Sequence, residues 1–220
     1  MIAWKQIDTV LLDMDGTLLD LNFDNHFWQE FVPLKYAELH HLSVPEAKQT
    51  LQPRFKALEG RLEWYCLDYW STELQLNIIG LKQELSELIA IHPHVIEFLE
   101  AVRKSGKRLI LVTNAHQDSL NLKLEKTCLQ VFFDAITSSH SLGLTKEQAG
   151  FWLGLQKQHG FHKQHTLLVD DSLAVLRSAQ AFGIAHLISI SKPDSQAPEK
   201  MITEFPAILD FRALMPGLNF

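Results

Sequence analysis

The chain is poor in cysteine, in surplus basic charge and in long apolar runs. Its 220 residues hold two cysteines, Cys66 and Cys128, and neither stands in a CxxC pair. That spacing argues against a metal knuckle or a dithiol redox pair and leaves two reduced, buried thiols as the simple expectation. Lys and Arg number 20 against 26 Asp and Glu, a formal net charge of −6. A surface that coats nucleic acid is thereby disfavoured, because backbone-phosphate binding relies on clustered cations. A small phosphate in a local pocket is not. No stretch approaches the roughly 18 apolar residues of a membrane span. The opening "MIAWKQIDTV" has no apolar stretch behind a basic start, so no secretory signal is read there. No nucleic-acid partner, no membrane contact and a cytoplasmic location are the expectations. Internal repeats and low-complexity tracts are also missing.

What is present is a composition with 46% hydrophobic and 21% charged residues, ordinary for a globular protein with a proper core. The length suits one large domain, or a core domain with an insert. Short apolar runs recur: "TVLLDM" (9–14), "KRLILVTNA" (107–115), "FFDAITSSH" (132–140), "HTLLVDDS" (165–172) and "IAHLISI" (184–190). Helix-like segments separate the last four: "HQDSLNLKLEKTCL", "KEQAGFWLGLQKQHG" and "SLAVLRSAQAFG". Strands alternating with helices predict an α/β fold with a doubly wound parallel sheet.

One interval breaks the rhythm. The stretch between the first and second runs is far longer than one crossover helix needs. Residues 22–90 read as almost wholly helical, through "FDNHFWQEFVPLKYAELHHL", "VPEAKQTLQPRFKALEG", "RLEWYCLDYWSTELQL" and "GLKQELSELIAI". The expected organisation is a core made of 1–21 and 91–220, with a helical cap over 22–90 inserted after the first strand. "SKPDSQAPEK" (191–200) reads as a surface loop.

The strand ends carry the chemistry. Ligands of a parallel sheet bind beyond its carboxyl edge, and that edge reads Asp13-Met14-Asp15, Thr113-Asn114, Ser138-Ser139 and Asp170-Asp171. If the first strand persists, Asp13 and Asp15 share a face. With Asp170 and Asp171, up to four carboxylates would meet in a small space, where like charges repel unless compensated. A hard divalent cation with oxygen ligands resolves this, with Mg2+ the usual candidate. The plainer alternative is that the acids cap helices, and "DDS" before a helical run is good N-cap chemistry. Gly16 would supply the turn that follows.

"DMDGT" after an apolar run, "LVTNA", "TKE" and "LLVDDS" resemble, in order, the four motifs of the haloacid dehalogenase-like (HAD) hydrolase superfamily. The resemblance covers the core, and the insertion point fits the members with a cap after the first strand. It implies a Rossmann-like catalytic core and the following roles. Asp13 would be the nucleophile that forms an aspartyl-phosphate, and Asp15 the general acid and base, its backbone carbonyl ligating Mg2+. Thr113 would hold a phosphoryl oxygen, helped by Asn114 and nearby N–H groups. Lys146 would neutralise nucleophile and phosphate. Asp171 would ligate Mg2+ directly and Asp170 through water. An acid at Asp15 favours phosphatase or phosphomutase chemistry over dehalogenation, because a halide leaves without a proton.

The insert is rich in aromatic residues, and all three tyrosines lie in it. They form the interior of the helical insert or, in part, stack on a base, a contact worth ~1–3 kcal/mol in single-strand binders. "LDMDGTLLDLNFDNHFW", "WYCLDYW", "LVTNAH", "KLEKTCL" and "KPDS" are similar to the branch of bacterial nucleotidases acting on GMP and IMP. That similarity implies purine nucleoside 5′-monophosphates as substrates, with Trp28, Tyr65 and His116, and also Asp24, Asn25 and Asp68, as contacts. A phosphatase or mutase for a sugar phosphate such as phosphoglycolate is the alternative enzyme. A non-catalytic binding protein on the same scaffold is the alternative of another class. His159, His162 and His165 read as solvated residues rather than a metal cluster, and His92 and His94 as structural or hinge residues.

Overall fold

The computed structural model describes residues 2–215 and 217. Six strands form one parallel sheet: β1 (Thr9–Leu12), β2 (Arg108–Thr113), β3 (Ala135–Ser138), β4 (Thr166–Asp170), β5 (His186–Ile190) and β6 (Ala207–Ile208). Their order is β3-β2-β1-β4-β5-β6. The chain steps outward from β1 to β3 and then resumes at β4 on the other side of β1. That reversal opens a crevice at the carboxyl ends of the central strands. The five apolar runs supply β1 to β5. The sixth strand is two residues long, too short to leave a periodic signal, and is fixed by Ser189 N–H donating to Pro206 O and Ser191 N–H to Ile208 O, both at 2.8 Å.

The strands are apolar on both faces because helices cover both. Val10 and Leu12 pack with Val95, Phe98 and Leu99 of α7 (Val95–Lys104) and Leu120 of α8 (Gln117–Thr127). Leu11 faces the other way, among Phe151 and Trp152 of α9 (Ala149–His159) and Val175 and Leu176 of α10 (Leu173–Phe182). Successive side chains of one strand thus belong to two different cores, which defines the doubly wound α/β class.

Between β1 and α7 lies a helical insertion: α1 (Asn22–His26), α2 (Val32–His40), α3 (Val44–Leu58), α4 (Leu62–Tyr65), α5 (Leu67–Leu74) and α6 (Ile78–Glu84). The single helix expected over 23–42 is α1 and α2 joined through one widened π turn, Phe27–Phe31. Pro33 has no N–H for the carbonyl four residues before it, so the regular ladder cannot run through. α3 starts on a capping box, in which Ser43 N–H donates to Glu46 Oε2 at 2.9 Å and Glu46 N–H to Ser43 Oγ at 3.4 Å. The helix expected over 61–76 breaks at Cys66, whose extended backbone begins α5 and whose Sγ accepts from Tyr69 N–H at 3.5 Å. Cys66 is therefore half-buried, and Cys128, which ends α8 with φ +56°, is exposed. The expectation of two buried thiols fails because both cysteines serve as helix termini.

A third apolar cluster, with Phe27, Leu51, Phe55, Trp70 and Ile78 among its members, fills the insertion. Trp70 is its centre, edge-on to Phe55 at 5.0 Å and donating its indole N–H to Trp64 O at 2.9 Å. The two segments that join insertion to sheet run side by side. Leu19 bridges Ile91, Asp20 N–H donates to Ala90 O at 2.9 Å, and His92 N–H to Leu18 O at 2.9 Å.

The segment 191–200 is only partly the surface loop expected from its composition. Pro193 and Asp194 are buried. Pro193 O accepts from Leu21 N–H at 2.9 Å, and Asp194 Oδ2 from Asn25 Nδ2 at 2.7 Å. Of the three clustered histidines, His159 pairs with Thr137 Oγ1 at 2.8 Å and His165 with Asp8 at 3.3 Å, while His162 is exposed. Among the described residues no helix is long and apolar enough to cross a membrane.

Trp70→Ala removes the largest buried side chain of the third cluster together with its hydrogen bond. A loss of ~3–5 kcal/mol is expected, measurable as a lowered midpoint in urea unfolding; a midpoint unchanged from the parent would contradict this packing.

Candidate active site

The register Leu12↔Val169 sets Asp13, one residue past β1, beside Asp170, the last residue of β4. Asp13 N–H donates to Val169 O at 3.1 Å, so its backbone is held by the neighbouring strand. Lys146 reaches into this corner from the loop before α9. Its Nζ donates to Asp13 Oδ1 at 2.5 Å, Asp170 Oδ2 at 2.7 Å and Val112 O at 3.1 Å. Both partners are sealed from water: Asp13 is 5% exposed and Lys146 2%. Burial would push the ammonium down, but the carboxylates of Asp13 and Asp170 outweigh it and raise Lys146, keeping it charged. For Asp13 burial dominates, opposed by Lys146, and lifts its carboxyl from 3.8 to about 6.

Asp13, Asp170 and Asp171 each place a carboxylate oxygen within 4.8 Å of the other two. Asp13 Oδ2 is buried and has no hydrogen-bond partner among the described residues. Burial first, then the charges of Asp13 and Asp170, hold the Asp171 carboxyl well above its ordinary value. Lys146 bonds two of the three carboxylates, and an unpartnered hard oxygen is left over among the described residues. The donor set fits a hard divalent cation such as Mg2+. Gly16 closes the site: its φ is +82°, and a Cβ there would lie 2.8 Å from Asp171 Oδ2. No residue with a side chain fits that position without displacing the carboxylate.

Asp15 departs from the expected picture of four converging carboxylates. β1 ends at Leu12 and the chain turns at Gly16, so Asp13 and Asp15 are not two residues of one extended strand. The Asp15 side chain turns instead to Lys123 of α8, whose Nζ donates to Asp15 Oδ1 and to Asp24 Oδ2, both at 2.6 Å. Asp24 Oδ1 takes Lys82 Nζ at 2.7 Å. Lys82 also lies over the rings of Phe27 and Phe23, at 4.6 and 4.7 Å. Burial, then the two lysines acting against it, leaves Asp24 strongly acidic, its carboxyl well below the ordinary range. Asp15 shares its lysine, Lys123, with Asp24, and burial lifts it to about 6. Asp24, named from sequence as a substrate contact, has both oxygens occupied by lysines.

These groups line the floor of a cavity of about 430 Å³, roofed by the insertion through Trp28, Phe55, Trp64 and Tyr65. Thr113 Oγ1 accepts from Ala115 N–H at 3.0 Å, which turns the hydroxyl toward the loop after β2. Asn114 works in two directions. Its Oδ1 accepts from Lys146 N–H at 2.9 Å and its Nδ2 donates to Glu147 Oε2 at 3.0 Å. The other Glu147 oxygen accepts from Tyr65 O–H at 2.8 Å, so a three-residue bridge joins roof to floor. Trp28 stands edge-on to Phe27 and Phe55 at 5.0 and 5.6 Å, half in the insertion's core and half in the cavity. His116 caps α8 and lines the cavity, with Asp68 Oδ2 3.6 Å from its Nε2. Asn25 is also at the wall, tied to Asp194.

Sequence reasoning missed Lys123, Lys82 and Glu147. Each is one charged residue among many on a helix or loop. The one available signal was that Lys123 lies three and four residues from Leu120 and Ser119, on the buried face of α8.

Lys123→Met would leave two carboxylates in a buried network without their shared cation; Lys123 itself is 1% exposed. A loss of ~3–5 kcal/mol is expected, read by urea unfolding at neutral pH. Parent-like stability would mean the network is not built as described.

Comparison with known proteins agrees with this geometry. A family model described as haloacid dehalogenase-like hydrolase matches residues 7–183. The chain is 42% identical to the GMP/IMP nucleotidase YrfG of Escherichia coli K12, over 99% of this chain and 98% of that protein. Among solved structures, a HAD phosphatase from Thermococcus onnurineus superposes with a TM-score of 0.79 at 20% identity, covering 94% of this chain and 96% of the other. The HAD-hydrolase YfnB of Bacillus subtilis, bound to magnesium, superposes with a TM-score of 0.68 at 20% identity, over 97% and 99%. The four sequence motifs, the parallel α/β core and the family model converge: this chain belongs to the haloacid dehalogenase-like hydrolases.

Proposed function

We propose that the chain is a Mg2+-dependent 5′-nucleotidase that hydrolyses GMP and IMP through an aspartyl-phosphate, with the helical segment 22–90 acting as its cap. The observation that carries this reading is the buried pairing of Lys146 with Asp13, beside two further carboxylates and under an aromatic roof. The identity to the E. coli GMP/IMP nucleotidase supports the choice of substrate.

The reaction follows from where the charges sit. A carboxylate attacks an anionic phosphate only where cations offset the repulsion. Lys146 supplies one such charge at Asp13 Oδ1. Asp13, Asp170, Asp171 and the backbone of Asp15 would hold Mg2+, which supplies further positive charge at the phosphoryl oxygens when bound. An Asp13 oxygen forms the new bond to phosphorus as the bond to the nucleoside 5′-oxygen breaks. Asp15 gives its proton to that leaving oxygen, and the nucleoside departs. A water then attacks the phosphoryl group, Asp15 takes its proton, and Asp13 is released with inorganic phosphate. Asp15, set to about 6 by burial and Lys123, can both give and take a proton near neutral pH. Thr113, Asn114 and the backbone N–H groups beside them orient the phosphoryl oxygens. The planar faces of Trp28 and Tyr65 suit a purine, and His116 stands at the same wall.

The discriminating experiment is a panel of nucleoside monophosphates and sugar phosphates assayed for phosphate release with Mg2+. GMP and IMP are expected to give the highest kcat/KM; turnover no faster than that of phosphoglycolate would defeat the nucleotide assignment. Asp13→Asn is expected to lower kcat by at least about 10³-fold with the circular-dichroism spectrum unchanged. EDTA should abolish phosphate release, and added Mg2+ should restore it. Activity that survives the substitution or the chelator would refute the mechanism.

A further inference from the structure

At the seam between the insertion and the sheet, a second cluster of ligand-type side chains stands apart from the carboxylates. Cys66, His116 and His140 each place a donor atom within 4.8 Å of the others, and all three are half-buried. The His116 and His140 rings meet edge to face at 5.0 Å. Cys66 comes from the break between α4 and α5, His116 from the start of α8, and His140 from the 3-10 turn after β3. Asp68 faces His116 from the insertion, with Oδ2 3.6 Å from Nε2. A second observation points to a ligand. His140 Nε2 is buried and has no hydrogen-bond partner among the described residues, a costly condition for a ring nitrogen.

We propose that Cys66, His116 and His140, with Asp68 beside them, bind a borderline-soft divalent cation of the zinc class. A thiolate and two imidazoles select such an ion over Mg2+, which prefers oxygen alone. Charge agrees as well: one thiolate and one carboxylate balance the two positive charges, the thiol proton passing to solvent on binding. Burial and the neighbouring His116 lower His140, so its ring is neutral and a lone pair is available. Both His116 nitrogens have a carboxylate at 3.6 Å, Asp68 at Nε2 and Asp118 at Nδ1. His116 Nδ1 also meets Asp118 N–H at 3.4 Å, on the α8 side; with Nε2 toward the cation, Nδ1–H turns to Asp118 Oδ2, which orients the ring. A metal knuckle needs neighbouring cysteines; here the ligands come from distant parts of the chain. Cys66 comes from the insertion and both histidines from the sheet side, so an occupied site would tie the insertion to the sheet beside the cavity mouth.

The proposal stands independently of the nucleotidase reading, and its test needs no substrate. Metal-stripped protein is supplied with excess Mg2+ to occupy the carboxylate site and then titrated with Co2+, whose bond to a thiolate gives a near-ultraviolet charge-transfer band. One Co2+ per chain with that band is expected. The band should vanish in Cys66→Ser and persist in Cys128→Ser. His140→Gln should weaken Co2+ binding at least about tenfold, and Zn2+ should displace Co2+. Circular-dichroism melting shows that each variant is folded. Absence of the band in the parent protein, its survival in Cys66→Ser, or unchanged affinity in folded His140→Gln would overturn the site.

Discussion

Burying carboxylates in company is the constraint on which the site rests. Asp13, Asp170 and Asp171 crowd one corner, the first two buried and the third half-buried, and an uncompensated anion there would be costly. Lys146 makes the corner possible by bonding two of the three at once. Its own position is fixed from behind by Asn114 and Val112. Lys146 alone does not neutralise the group, and the unpartnered Asp13 Oδ2 marks where more positive charge is accommodated. Under the proposed function, attraction for Mg2+ and for a phosphate beside it would arise from this incomplete compensation.

The two aspartates of the "DMD" stretch are divided between separate charge systems. Asp13 belongs with Lys146, inside the sheet edge. Asp15 belongs with Lys123, Asp24 and Lys82, a chain of alternating charges that runs from α8 into the insertion. The position of α1 relative to the sheet thereby bears on the proton affinity of Asp15, because Asp24 sits in α1 and its charge raises Asp15. Glu147 makes a comparable link on the other wall, holding Tyr65 of the insertion and Asn114 of the core.

Much of this was legible in the sequence, for identifiable reasons. Strands buried on both faces leave continuous apolar runs, so β1 to β5 were readable while two-residue β6 was not. Asp13, Thr113, Lys146, Asp170 and Asp171 sit at strand ends or in short motifs whose order is itself a signal. Helix breaks in the insertion were harder to see, because Cys66 interrupts a helical pattern without proline or glycine. Lys123 and Glu147 stayed hidden because long-range pairing leaves no local pattern. The burial of Pro193 and Asp194 was masked by a polar, proline-containing composition that reads as solvent-exposed, although both pack against the start of the insertion.

The paired crossing at Leu19 and Ile91 has a consequence for how such a protein can change over time. The insertion leaves the sheet and returns to it at one point, sealed by backbone hydrogen bonds that depend little on what lies between. To the sheet, the intervening segment is a closed loop, and the entropy of closing a loop grows only slowly with its length. Helices there that do not carry Asp24, Lys82 or Tyr65 can be lengthened, replaced or rearranged while the strand register and the carboxylates of Asp13, Asp170 and Asp171 stay as they are. The architecture thus lets much of the insertion vary without disturbing the sheet that positions Asp13, Asp170 and Asp171.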